Sequence, residues 1–95
     1  MNLNIEQIKN KALPILKNAD VVRSSIFGSY ARGDIVKESD LDILVEFKGK
    51  KSLLDLVGLQ LALEKALEKK VDVLTYRSLY PPLREIIEKE QVRIL

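Results

Sequence analysis

The sequence predicts a small α/β domain in which helices and strands alternate and pack in layers. Segments with apolar residues at helical spacing are followed by short β-branched runs that end in glycine or run out of an acidic turn. The 95 residues are 46% hydrophobic and 32% charged, a balance that suits a folded chain better than a disordered or membrane-embedded one. No repeat, low-complexity tract or linker divides them, so residues 1–95 read as one domain with one core.

Ile5, Ile8, Ala12, Leu13, Ile15 and Leu16 recur on one helical face, which predicts an amphipathic helix over 4–18, kinked or shortened by Pro14. Val21 to Phe27 reads as a strand entering a turn at Gly28, and Ser29 is placed to cap a short helix through Arg32. From Leu41 to Phe47 residues alternate, with Leu41, Ile43 and Val45 on one face and Asp40, Asp42, Leu44 and Glu46 on the other, so a second strand with an acidic end is expected. Ser52 to Lys69 is dense in leucine and predicts a long, extensively buried helix in which Gly58 permits close packing. Val71 to Thr75 reads as a third strand, Pro81-Pro82 open a short helix with Leu83, Ile86 and Ile87, and Val92 to Leu95 ends as a strand.

Composition also limits the chemistry. The chain has no cysteine and no histidine, so a metal site would be built from oxygen, which favours hard cations such as magnesium. Sixteen basic and fourteen acidic residues leave a net charge of +2 with no basic block, so nucleic acid is unsupported as a direct partner. No segment approaches the ~20 apolar residues of a membrane span and the first residues lack a signal-peptide pattern, which makes a cytoplasmic protein the expectation.

The residues best suited to chemistry follow the first strand. Gly28 and Ser29 stand where strand turns to helix, and backbone N–H groups there, with the Ser29 hydroxyl and the Arg32 charge, can be directed at a phosphate. Asp40 and Asp42 are two apart on a strand, so they share a face and lie roughly 6.6 Å apart along it, close enough to serve one metal cluster. Two metal ions about 3.5–4 Å apart can hold the attacking and leaving oxygens of a phosphoryl displacement, and such a cluster needs several carboxylates. Asp72 interrupts the apolar pattern of the third strand and is the candidate third ligand, and also a proton acceptor in a chain without histidine.

Each feature has a plainer structural reading when taken singly. Asp40 and Asp42 fit a solvated strand end, Gly28-Ser29 fits ordinary turn chemistry, and Asp72 fits a charge that keeps an edge strand from aggregating. Met together and in this order, they point to nucleotide chemistry.

Gly28-Ser29-Tyr30-Ala31-Arg32-Gly33-Asp34, with Ser39-Asp40-Leu41-Asp42-Ile43-Leu44-Val45, resembles the signature of the DNA polymerase β-like nucleotidyltransferase superfamily, and the length that of its smallest branch, the minimal nucleotidyltransferases. The resemblance implies a small mixed β-sheet packed with helices. It further implies that Gly28 and Ser29 hold the triphosphate of ATP, and that Asp40, Asp42 and Asp72 bind two Mg2+ ions. The reaction it implies moves AMP from ATP to a hydroxyl and releases pyrophosphate. The partner it implies is a HEPN-domain RNase toxin, neutralised as by an antitoxin through AMP transfer to a tyrosine. Two other readings stay open at this stage: an antitoxin that neutralises by binding alone, and transfer to a small molecule or RNA end. The state of assembly, with itself or with a partner, is also left open. The leucine-rich helix would offer a partner-binding face only if part of it stays exposed.

Overall fold

The computed structural model describes residues 4–28 and 41–95. Helix α1 runs Ile5–Asn18, followed by strand β1, Val21–Phe27, and strand β2, Leu41–Phe47. Helix α2, Leu53–Leu67, leads into strand β3, Val71–Thr75, then a 3-10 turn at Tyr76–Ser78, helix α3 at Pro81–Glu90 and strand β4 at Val92–Arg93.

The strands form a mixed sheet in the order β3-β2-β1-β4. Sequential β1 and β2 pair antiparallel, whereas β2 and β3 pair parallel across the α2 crossover, as a strand–helix–strand unit requires. The short β4 lies antiparallel to β1, and Ile94 and Leu95 beyond it still bond Ser24 through the backbone, at 2.9 and 3.1 Å. The expected terminal strand is therefore present but only two residues long.

One face of the sheet carries Leu41, Ile43 and Val45 from β2 and Val71 and Val73 from β3. These pack with Ile8, Ala12 and Leu16 of α1 and Leu59, Leu63 and Leu67 of α2 to form the main core. The opposite face carries Asp42, Leu44 and Glu46 by alternation. There Leu44 is fully buried with Tyr76 and Leu79, and Phe27 and Ile87 pack around them. The alternating pattern placed Leu44 among polar neighbours; it is apolar cover for a second, smaller cluster.

The helix ends follow local chemistry. Asn4 and Gln7 cap α1 reciprocally, at 2.8 and 3.0 Å, and Ser52 and Asp55 do the same for α2. Pro14 does not shorten α1, which continues to Asn18. Its pyrrolidine removes the bond to Asn10, and both residues are exposed, so water can satisfy the freed carbonyl. The expectation of an extensively buried α2 is overturned: only Leu59, Leu63 and Leu67 are buried, while Leu53, Leu54, Val57 and Leu61 are exposed. A helix with a sheet on one side can bury only one stripe, so leucines elsewhere on its circumference face outward. Gly58 likewise serves no close packing among the described residues, where a Cβ would meet nothing within 4 Å.

Two stability predictions arise here. The Tyr76 hydroxyl donates to the buried Ser25 hydroxyl at 2.8 Å, and the Arg23 guanidinium lies 3.9 Å over the Tyr76 ring. Tyr76→Phe keeps the ring and the cation contact but leaves Ser25 without its donor, so a loss of roughly 1–2 kcal/mol is expected in urea titrations. An unchanged urea midpoint would refute that role. Hydrogen bonds from the Ser52 backbone and hydroxyl to the Asp55 carboxylate, at 2.9 and 3.0 Å, hold its pKa below the ordinary value. A depressed folded-state pKa contributes stability above the unfolded value of about 3.9, and that contribution disappears as pH falls through the folded one. Asp55→Asn should therefore narrow the stability gap between pH 6 and acid relative to the parent, and parallel pH curves would contradict the assignment.

Candidate functional site

Asp42 and Asp72 are direct register partners on the adjacent parallel strands β2 and β3. Neighbouring strands lie about 4.8 Å apart, and partners in register project from the same face. That face is the one opposite the main core. Two carboxylates side by side repel, which makes the position costly unless a cation or donor sits between or beside them.

Gly28 stands against Asp42 of that pair. It follows Phe27, the last residue of β1, and Phe27 is itself the register partner of Asp42. Gly28 has φ +75°, a left-handed conformation, and a Cβ added there would collide with the Asp42 carboxylate. Glycine is thus required twice, for the backbone angle and for the carboxylate's space. Gly28 itself is thereby held against the acidic end of β2.

Gly28, Asp42 and Asp72 are therefore brought together by three strands. Ser29, Arg32 and Asp40 lie outside the described residues. Among the described residues no group of three acidic, histidine or cysteine side chains gathers in one place. The donors in place are carboxylate oxygens, and an all-oxygen, doubly acidic set suits a hard divalent cation.

The floor beside the pair was not singled out from the sequence. Leu44, two residues beyond Asp42 on the same face, sits in the cluster with Tyr76 and Leu79, and Phe27 borders it. Ser25 is the register partner of Leu44 and takes the Tyr76 hydrogen bond, while Ser24 donates to the Leu44 carbonyl at 2.8 Å. The signal available was an apolar leucine within a polar strand face. At the far ends of β2 and β3 an open groove of about 740 Å3 lies among Phe47, Lys50, Thr75 and Arg77. It is at the opposite end of the strands from the aspartates and does not include them.

A glycine at a strand end, set against one of two adjacent carboxylates on a mixed sheet, fits nucleotide-transfer chemistry. The nucleotidyltransferase domain family matches residues 6–94, and the chain belongs to it. A Methanocaldococcus jannaschii protein that carries the name of a protein adenylyltransferase is 55% identical over 93 residues, 98% of this chain and all of that one. A solved structure described as a minimal nucleotidyltransferase superimposes with a TM-score of 0.83 at 37% identity, covering 96% of each chain. The fold is thus the polymerase β-like one that the motif implied. A toxin–antitoxin structure with AMP-PNP matches with a TM-score of 0.81 at 25% identity, covering 92% of this chain and 72% of that one.

Proposed function

We propose that this protein is a magnesium-dependent adenylyltransferase that moves AMP from ATP to a hydroxyl of a cognate HEPN-domain RNase toxin, a tyrosine hydroxyl, and so serves as its antitoxin. The observation that carries the proposal is the Asp42–Asp72 register pair closed off by Gly28. Family membership, the relative named for protein adenylylation and the AMP-PNP complex of a toxin–antitoxin neighbour support it.

In this reading Gly28 and Ser29 present backbone N–H groups and a hydroxyl to the triphosphate, and Arg32 adds a charge contact. Asp40, Asp42 and Asp72 hold the cations. Bound magnesium would neutralise triphosphate charge and polarise the phosphoryl oxygens. The acceptor oxygen forms a bond to the α-phosphorus, the bond from that phosphorus to the bridging β-oxygen breaks, and pyrophosphate leaves with the electron pair. Asp72, exposed at the sheet edge where an outside substrate can approach, accepts the hydroxyl proton.

Incubation with α-labelled ATP, magnesium and the cognate toxin should label the toxin. Absence of label from correctly folded components would sink the proposal. Neutralisation that survives Asp40→Asn with Asp42→Asn would instead favour an antitoxin acting by binding alone. No described helix is long and apolar enough to cross a membrane, and no membrane partner is proposed.

A further inference from the structure

We propose that this protein pairs with a second copy of itself through α2, the two helices antiparallel about a two-fold axis beside Gly58. This goes beyond the proposed transfer reaction and does not depend on it. The buried stripe of α2 is complete with Leu59, Leu63 and Leu67. Outside it, Leu53, Leu54, Val57 and Leu61 are 75%, 82%, 43% and 59% exposed. Leu54, Val57 and Leu61 follow the three-and-four spacing by which one helix forms a seam with another. Together these four side chains present on the order of 400 Å2 of apolar surface, comparable to the largest patch on a typical monomer. Burying it on both copies, with the residues around it, approaches the ~1,000 Å2 at which specific interfaces begin.

A second copy fits because one patch carries both complementary shapes. Beside the leucine ridge an apolar groove of about 320 Å3 opens between α1 and α2, walled by Ile15, Ala19, Gly58 and Ala62. Leu54 and Leu61 lie equally far to either side of the point between Val57 and Gly58. An antiparallel crossing there sets Leu54 of each copy beside Leu61 of the other, with the ridge of each against the groove of the other. Contact of one patch with itself is what a two-fold dimer requires. It also explains a mid-helix glycine that has no packing use among the described residues, since the open space above Gly58 lets the second backbone approach.

Light scattering across a concentration series should report twice the chain mass, falling towards the single mass on dilution. Leu54→Glu with Leu61→Glu should give the single mass at every concentration with an unchanged far-UV circular dichroism spectrum, because both side chains are exposed in the protomer. A parent that is monomeric throughout would overturn the proposal and leave the ridge to a different protein. A dimer that persists in the double variant would overturn it equally.

Discussion

Asp42→Asn is expected to fold normally and to lose about a thousandfold or more in transfer rate, equivalent to roughly 4 kcal/mol of transition-state stabilisation. The substitution keeps the side chain's size and an acceptor oxygen while removing the charge beside Asp72. Removing one of two adjacent carboxylates relieves their mutual repulsion when no cation is bound. A binding readout separates metal loss from a damaged fold. Magnesium should raise the melting temperature of the parent and leave that of Asp42→Asn unmoved, since only a ligand bound by the native state stabilises it. Parent-like transfer by the variant would remove Asp42 from the machinery and with it the proposed reaction.

Gly28→Ala should damage both stability and transfer, and transfer more. The backbone at φ +75° costs an L-residue about 1–2 kcal/mol, and the new methyl would occupy the place of the Asp42 carboxylate. The carboxylate is the end of a short side chain and can swing aside, so the expected stability loss is roughly 1–3 kcal/mol rather than failure to fold. Swinging aside moves a proposed ligand away from its position beside Asp72. A misplacement of about 1 Å can cost a hundredfold, and a loss of that order is expected in the rate measured with folded protein. A variant with normal rate and lowered stability would mean that the glycine serves the turn alone.

Much of this architecture was legible because the relevant signals are local. The helical spacing of Ile5 to Leu16, the strand alternation from Leu41 to Val45 and the proline pair before α3 all act within a few residues, and the elements appear where those signals place them. Leu44 lies on the face that the alternation gave it, whereas the extent of α2's burial was misread. Burial depends on what covers a side chain, which a local pattern does not contain. Tyr76, Leu79 and Ile87 arrive from elsewhere in the chain to cover Leu44, and Leu54 and Leu61 stay exposed among the described residues. Of the candidate site, the residue types and their order were readable, because phosphate and metal chemistry demand glycine, serine and aspartate in characteristic places.

The sequence by itself determined an α/β chain with oxygen-only ligand chemistry, a glycine turn after the first strand, and aspartates on the second and third. Only the tertiary structure decided that β3 lies parallel beside β2 with Asp72 level with Asp42, and that Gly28 closes against that carboxylate. The division follows from range. Helix caps and strand alternation depend on neighbours a few residues away, but sheet order and register depend on how α2 returns the chain across the sheet and which apolar faces then meet.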